Sequence, residues 1–384
     1  MRKCVRISRS GSVVAAVALN VGAAGQTIAG VNYTAHILYQ LLPLPQTSFP
    51  SESANQNFFN DANGQVVGVS GSNFQYTQAS LWNSPSGTVV NLTPGGFANS
   101  VAESTNGTQQ VGFGYNGPQD GPDYQPNAML WTNTAASAVD LNPAGYAGSE
   151  AYGIYGNNQV GEADGNAALW SGSAASFVDL NPSGFANSVA YGADATQQVG
   201  AGNNDGSEHA LLWTGSATSA VDLNPAGFAN SEATGVSGNQ QVGIAYESPT
   251  SSPILAMLWT GTAASAVNLN PAGFAISTAF ATNGSQQIGW GVTTGSPGVW
   301  EALLWSGTAA SAENLGSVLP SNNTWILSQA LSFDAAGNIY GLAEDSRDNQ
   351  YAVVWSPVPE PATGSLLLMA GAGMVMRRRR RPLA

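Results

Sequence analysis

The chain has 384 residues, of which only 9% are charged, and its formal net charge is −13. Its ten Lys and Arg residues lie at the two ends apart from Arg347, so residues 27 to 356 hold 22 acidic residues and one basic residue. This distribution argues against nucleic-acid binding and phosphorylated substrates and favours the attraction of cations. Cys4 is the only cysteine, so the rest of the chain has no disulfide or thiolate metal site.

Residues 1 to 25 have the layout of a secretory signal peptide. A basic start with Arg2, Lys3, Arg6 and Arg9 precedes an apolar run from Val13 to Val21, and small residues follow up to Gly25. The alternative is a disordered basic tail. The next predicted element is a strand over residues 36 to 42, whose partner depends on the repeats that follow.

A repeat occupies most of the chain and keeps one distance constant. From Trp82, Trp131, Trp170, Trp213 and Trp259, the next Val-Gly or Ile-Gly glycine lies 30 residues away each time. The distance from that glycine to the following tryptophan instead varies between 9 and 19 residues. We therefore interpret the first segment as a fixed structural unit and the second as a loop of free length.

Each repeat contains four short strand candidates separated by turn residues such as Asn-Pro and Ser-Gly-Asn. No window has a sustained helical period. The predicted fold is all-β, a seven-bladed β-propeller of four-stranded blades over residues 32 to 356. A Val-Asn/Asp-Leu strand follows each of the first five repeat tryptophans and Glu-Asn-Leu follows Trp305, but nothing equivalent follows Trp355, so the strand at 36 to 42 is expected to complete the last blade. A β-solenoid is the alternative.

The segment Gly-Gln-Val-Val-Gly at Gly64 to Gly68 carries a resemblance to a known repeat. The repeats over about residues 36 to 356 resemble the HAF-type extracellular repeat. This resemblance implies that the domain acts outside the cell.

The C-terminal end combines three features in order. Val358, Pro359, Glu360 and Pro361 precede an apolar segment from Leu366 to Met376, which an arginine cluster follows: Arg377, Arg378, Arg379, Arg380 and Arg381. Residues 357 to 384 thus resemble the PEP-CTERM sorting signal of exported bacterial proteins. The resemblance implies recognition by an exosortase-type membrane enzyme, removal of the tail, and a final location at the cell surface or in the extracellular matrix.

The apolar segment of this tail is too short for an ordinary membrane span. Residues 363 to 376 number 14, whereas a transmembrane helix needs about 20, so transient membrane contact is expected. A permanent, thinly spanning transmembrane helix is the alternative.

The variable segments are expected to share one face of the propeller with the crossovers between blades. Acidic residues collect there, and carboxylates on loops suit calcium. A solvating acidic rim is the alternative, since no segment has the ligand spacing of an EF-hand. The calcium candidates are Glu162, Asp164, Asp205, Glu208, Glu344, Asp345 and Asp348.

Aromatic residues divide into two groups. The repeated tryptophans are predicted to pack between blades: Trp82, Trp131, Trp170, Trp213, Trp259, Trp305 and Trp355. The variable segments carry a second group that is suited to contact sugar rings, although packing within the loops explains it equally well. That group comprises Trp290, Trp300, Tyr115, Tyr124 and Tyr246.

Signatures of catalysis are few. The histidines are His36 and His209, and no histidine metal triad, nucleophile elbow or phosphate loop is present in the sequence. The sequence therefore predicts an exported protein without catalytic activity and without a cofactor other than calcium, which binds or scaffolds extracellular polysaccharide through its variable face. One alternative is a polysaccharide-active enzyme with a carboxylate pair in the central channel. The other is a purely structural component of exopolysaccharide or biofilm.

Overall fold

The structure is a computed structural model that describes residues 33–40, 59–60, 65–73, 76–83, 88–117, 124–247, 253–296 and 298–358. Within these ranges the fold is all-β, as predicted, and its helices are six short 3-10 helices. None of the helices in the described part of the chain is long and apolar enough to cross a membrane. The predicted signal peptide and the apolar segment of the tail lie outside the described residues.

The strands form five separate four-stranded sheets and one eight-stranded sheet among the described residues. We number the separate sheets as units 1 to 5 in chain order. Unit 1 contains β2 (Phe59–Asn60), β3 (Gln65–Asn73), β4 (Tyr76–Asn83) and β5 (Thr88–Asn91). Unit 2 contains β6 (Asn99–Thr105), β7 (Gln110–Tyr115), β8 (Asn127–Trp131) and β9 (Val139–Asp140). Unit 3 contains β10 (Ser149–Tyr155), β11 (Asn158–Ala163), β12 (Asn166–Trp170) and β13 (Val178–Asp179).

Units 4 and 5 repeat this pattern. Unit 4 contains β14 (Asn187–Ala193), β15 (Gln198–Asn204), β16 (Ser207–Trp213) and β17 (Val221–Asp222). Unit 5 contains β18 (Asn230–Ser237), β19 (Gln240–Tyr246), β20 (Leu255–Trp259) and β21 (Val267–Asn268). In each of these sheets the strands lie in chain order and neighbouring strands are antiparallel.

The eight-stranded sheet has two halves, which we call units 6 and 7. Unit 6 contains β22 (Phe274–Thr282), β23 (Gln287–Thr293), β24 (Trp300–Trp305) and β25 (Glu313–Asn314). Unit 7 contains β26 (Trp325–Phe333), β27 (Ile339–Asp345), β28 (Gln350–Pro357) and the N-terminal β1 (Tyr33–Gln40). A parallel bridge between Trp300 and Leu327 joins the halves. The N-terminal strand begins and ends earlier than the predicted 36 to 42, and it pairs antiparallel with β28 from Tyr33 opposite Pro357 to Gln40 opposite Tyr351.

The first strands of neighbouring units contact one another from unit 2 through unit 7, and β2 contacts both β6 and β26. A cluster that contains Val66 and Trp82 of unit 1 also includes Leu342 and Ala352 of unit 7. The two-residue strands β9, β13, β17 and β21 instead have exposed side chains. The first strands therefore converge, and the fourth strands form the outer edge.

A β-bulge interrupts the first strand of every unit from 2 to 7. In unit 4 the register shifts between Ala190 and Gly192, and the repeat glycine Gly200 lies opposite Ala190. A Cβ on Gly200 would meet the Val189 carbonyl oxygen at 1.9 Å, so only glycine fits there. The repeat glycine of the sequence thus marks a close approach of two backbone segments in units 2 to 7.

The seven repeat tryptophans are fully buried, as expected for residues between packed sheets. Trp170, for example, packs with Leu130 and Leu141 of unit 2. A buried glutamine fixes the turn after each of several tryptophans: the Gly215 N–H, two residues after Trp213, donates to Gln198 Oε1 at 2.8 Å. Equivalent bonds join Asn133 to Gln110, Gly172 to Gln159, Gly261 to Gln241 and Gly307 to Gln287.

The outer strand is held to the third strand by a polar pair. Asn127 donates to Asp140 at 2.7 Å in unit 2, and Asn166 donates to Asp179 in unit 3. His209 Nδ1 and Asp222 Oδ2 form the corresponding pair in unit 4 at 2.7 Å. In unit 6 the direction is reversed, since the acceptor Glu301 lies on the third strand and Asn314 on the fourth.

The variable segments and the crossovers lie at the same end of the sheets, as predicted. In unit 3 the crossover amides of Ala147 and Gly148 donate to the Asp164 carboxylate, and Asp164 belongs to the variable segment. We call this end the variable face. Residues at the end of the second strand and at the start of the third strand of each unit lie on the variable face.

Candidate functional site

A cavity of about 350 Å³ opens on the variable face between units 2 and 3. It is formed by the variable segment of unit 2, the crossover that follows, and the β10 and β11 strands of unit 3. Its walls include Tyr124, Gln125, Pro126, Glu150, Glu162 and Asp164. The cavity brings together a predicted aromatic residue and two predicted calcium candidates.

Glu150 and Glu162 lie directly opposite each other on β10 and β11. The bulge between Ala151 and Gly153 produces this pairing. The hairpin turn pairs Tyr155 with Asn158, and an unbroken ladder from that turn would place Ala151 opposite Glu162. The extra residue shifts the register by one, so both carboxylates lie on the same face of the sheet.

Two tyrosine hydroxyl groups contact this carboxylate pair. The Tyr152 hydroxyl lies 2.6 Å from Glu150 Oε2 and 3.1 Å from Glu162 Oε1, so it contacts both carboxylates. The Tyr124 hydroxyl donates to the other oxygen, Glu150 Oε1, at 2.8 Å. Glu150 is therefore fixed by one tyrosine from each of the two units, and both glutamates remain partly exposed.

Tyr115 does not belong to an exposed ligand-binding face, contrary to the sequence-based prediction. Its side chain is fully buried, and its hydroxyl contacts Thr77 Oγ1 at 2.7 Å. Burial raises the pKa of Tyr115 above its ordinary value. Its ring packs edge-on against Tyr124, with 5.1 Å between ring centroids, so Tyr115 supports the residue that lines the cavity.

Asp164 is exposed and forms part of the cavity rim. Asp164 and Gly165 both have positive φ, at 48° and 80°, and form the two-residue turn between β11 and β12. The Asp164 carboxylate accepts the Ala147 and Gly148 amides at about 3 Å. These bonds anchor the crossover to the turn.

Tyr246 marks a second group of acids and tyrosine, formed by residues of units 4 and 5. Burial, followed by the nearby Glu232 and Glu208 carboxylates, raises the pKa of Tyr246 to about 12. Its phenol is therefore protonated at any physiological pH and can donate a hydrogen bond.

The other calcium candidates lie in two hairpins: Asp205 and Glu208 in the one between β15 and β16, and Glu344, Asp345 and Asp348 in the one between β27 and β28. Asp205 has a φ of 49° and forms the turn between β15 and β16 with Gly206. Asp348 has a φ of 63°, and Glu344 accepts a hydrogen bond from Gln350. No group of three His, Cys, Asp or Glu side chains is arranged to hold a metal ion within the described ranges.

Asp345 is a buried residue at the end of β27, where the turn to β28 begins. Burial favours its neutral form, but hydrogen bonds from Asn349, from the backbone of Arg347 and from Tyr351 outweigh this effect and hold its pKa below the ordinary value. Its oxygens thus stabilise the turn between β27 and β28. Whether calcium binds to any of these turns stays a prediction, which a calcium titration followed by thermal unfolding would test.

The remaining predicted residues lie either on the variable face or in the C-terminal tail. Trp290 and Trp300 lie on the variable face at the junction of units 6 and 7 and are partly exposed. Val358 is the last described residue and is exposed. Pro359, Glu360, Pro361 and Arg377 to Arg381 lie outside the described residues.

The sequence-based reading missed Glu150 and Tyr152. Their alternation on one strand was the available signal, because residues two apart in a strand share a face. Their contact with Glu162 depends on the bulge, which the sequence marks only through the glycine of the neighbouring strand.

No protein-family model and no curated protein matches this chain. Among solved structures, the β-propeller domain of the Trilobed protease from Pyrococcus furiosus is 9% identical, with a TM-score of 0.47, over 78% of this chain and 93% of that one. A post-proline cleaving enzyme from Rickettsia typhi is 10% identical, with a TM-score of 0.45, over 76% of this chain and 49% of that one. Trypanosoma rangeli sialidase in complex with the inhibitor DANA is 9% identical, with a TM-score of 0.39, over 87% of this chain and 60% of that one.

These comparisons contradict the prediction that the protein lacks catalytic activity. The similar structures belong to enzymes, namely a protease, a post-proline cleaving enzyme and a sialidase. At 9 to 10% identity the likeness concerns the fold and indicates no particular reaction. The prediction is therefore withdrawn, because the sparse sequence signatures on which it rested did not include the Glu150 and Glu162 pair.

Proposed function

We propose that this protein is an exported surface or extracellular-matrix protein that binds polysaccharide in the cavity between units 2 and 3. One observation carries the proposal: the cavity of about 350 Å³ joins the tyrosine Tyr124 to the carboxylates of Glu150 and Glu162. Sugar hydroxyls donate to carboxylates, and aromatic side chains contact the apolar faces of sugar rings. Ligand cavities of this size commonly combine aromatic walls with a few polar groups.

The excess of acidic over basic residues restricts which polysaccharides can bind in the cavity. Arg347 is the only lysine or arginine in the part of the chain that the structure describes, and it lies in unit 7, away from the cavity. An anionic polysaccharide would meet carboxylates without a compensating cation. The proposed ligands are therefore neutral glycans or glycans with amino groups.

The proposed scaffold is a closed β-propeller of seven blades, in which units 1 to 7 are the blades and β1 completes the last one. Support comes from the pairing of β1 with β28 and from the contacts of β2 with both β6 and β26. Export and surface location are proposed from the signal-like N-terminus and from the tail with its Pro-Glu-Pro motif, apolar segment and arginine cluster. An exosortase-type enzyme is the proposed partner of the tail.

Binding can be tested on a glycan array with the protein and two variants. Glu150→Gln removes the carboxylate that both tyrosines contact, and we expect it to weaken binding to the glycan that the unaltered protein selects. Asp205→Asn is the matched control, since it removes an equal charge from an exposed turn that tolerates asparagine at positive φ. Equal binding by all three proteins would contradict the proposal.

Glycoside hydrolysis is a second candidate function, favoured by the contact of one hydroxyl group, that of Tyr152, with both glutamates. Glycosidases use two carboxyl groups that flank the scissile bond, one as an acid and one as a base or nucleophile. Release of reducing ends from a bound glycan would show the activity. Glu150→Gln and Glu162→Gln should each abolish it, and activity that persists in both variants would refute this role.

A further inference from the structure

The rings of Trp290 and Trp300 are stacked, with centroids 4.1 Å apart and planes inclined by 11°. The β-hairpin of unit 6 sets this arrangement. Trp290 lies opposite Ala302 and Trp300 lies opposite Val292, so the two tryptophans are diagonal neighbours on one side of β23 and β24. Together they form an aromatic stack at the loop end of the hairpin.

This pair differs from the tryptophans of the repeat. Those seven side chains are fully buried, whereas Trp290 and Trp300 are partly exposed. Trp290 directly follows the repeat glycine Gly289, which is the register of Glu162 in unit 3. The stack therefore occupies, in unit 6, the position that lines the cavity in unit 3.

The side chains of the variable face indicate which class of ligand would bind to the stack of Trp290 and Trp300. A flat aromatic pair offers no charge, and the same face carries acceptor carboxylates at Glu150 and Glu162. Arg347, in the turn between β27 and β28, is the one lysine or arginine among the described residues. A neutral sugar ring matches both features, because its apolar side stacks on indole while its hydroxyls donate to carboxylates.

We infer that the Trp290 and Trp300 stack is a second contact surface for a neutral polysaccharide, on which apolar faces of its sugar rings rest. The inference depends on the proposed function, since the chain bound in the cavity of unit 3 is the one that would extend to unit 6. It assigns the stack to ligand binding and not to packing within the hairpin.

The test uses circular dichroism, because two stacked indoles produce an exciton couplet that reports on the pair itself. The protein is titrated with soluble neutral glucan, xylan and galactan, and with polygalacturonate as the anionic counterpart. A neutral glycan should bind and change the couplet, and polygalacturonate should do neither. If the unaltered protein binds the glycan to saturation and its couplet does not change, the inference is wrong.

Variants separate this inference from the proposed function. We expect Trp300→Ala to weaken binding of the neutral glycan about tenfold, as for the loss of one aromatic contact. Trp325→Phe is the control, because Trp325 is a partly exposed tryptophan of unit 7 whose indole donates to Pro320 O. If Glu150→Gln weakens binding and Trp300→Ala does not, the inference is wrong and the cavity proposal stands. If Trp300→Ala alone weakens binding, the cavity proposal is wrong.

Discussion

A Cβ atom placed on Gly200 would lie 1.9 Å from the carbonyl oxygen of Val189, on the neighbouring strand of the same unit. The bulge in β14 pushes that carbonyl toward the glycine. A Cβ would meet equivalent carbonyl oxygens at 1.9 to 2.0 Å on the other repeat glycines of units 2 to 7: Gly112, Gly161, Gly243, Gly289 and Gly341. The constant glycine of the repeat is therefore a requirement of backbone packing.

Gly200→Ala is expected to lower the free energy of unfolding by about 3 kcal/mol or more, since backbone must move to admit the methyl group. Denaturant unfolding measures the change. Gly295→Ala is the control, because a Cβ there meets nothing within 4 Å. If both variants were equally stable, the close approach would not explain the repeat glycine.

Gln198→Ala should cost about 1 to 3 kcal/mol of stability, because it leaves the Gly215 N–H without its acceptor beside a buried tryptophan. Thermal unfolding would show the difference. Gln109→Ala, at a partly exposed turn, provides the comparison. A loss no greater than that of the control would mean that water replaces the glutamine.

His209→Asn should change stability little, because asparagine fills the same position in units 2 and 3 and donates to the same aspartate. His209→Leu should cost about 1 kcal/mol, the upper range for an exposed pair, since Asp222 then loses its donor. Denaturation at neutral pH compares the two. Equal losses would show that the imidazole contributes through its ring and not through the hydrogen bond.

Asp345→Asn should remove a pH-dependent part of the stability. Because the pKa of Asp345 is lowered in the folded protein, its carboxylate stabilises the fold above the ordinary value of 3.8, and this contribution is lost as the pH falls through the lowered value. Melting temperatures between about pH 5 and pH 2 should therefore fall more steeply for the unaltered protein than for the variant. Parallel curves would contradict the assignment.

Removal of β1 should disrupt cooperative unfolding, since Tyr33 and Ala35 belong to the core cluster that contains Trp355. A chain that starts at residue 41 is compared with one that starts at residue 31 by calorimetry. A broadened or lost transition in the shorter chain is expected. An unchanged transition would show that the strand is dispensable.

Most of the architecture could be predicted from the sequence, because two features recur along the chain. The 30-residue spacing marked the constant path from the Leu-Trp strand of one unit to the Val-Gly strand of the next, and turn residues such as Asp205 and Gly206 marked the hairpins. The burial of the repeat tryptophans followed from their fixed position near the end of the third strand. These features depend on the types and spacing of residues near one another in the chain, so they can be recognised in the sequence.

Only part of the candidate site could be predicted from the sequence, because its geometry depends on the register between β10 and β11. Tyr124 and Glu162 were identified from loop composition, whereas Glu150 belongs to a strand that looked purely structural. A ladder drawn from the turn at Tyr155 and Asn158 would have put the two glutamates on opposite faces. The one-residue shift at the bulge is marked in the sequence only by Gly161 on the neighbouring strand, which does not reveal the register by itself.

The reversed polar pair of unit 6 limits how units can be recombined. If the third strand of unit 6 were grafted into unit 4 alone, Glu301 would face Asp222 and two acceptors would meet without a proton donor. The smallest cassette that can be exchanged between units therefore runs from the third strand through the fourth. A designer who wished to move a binding loop between units would have to carry the outer strand with it.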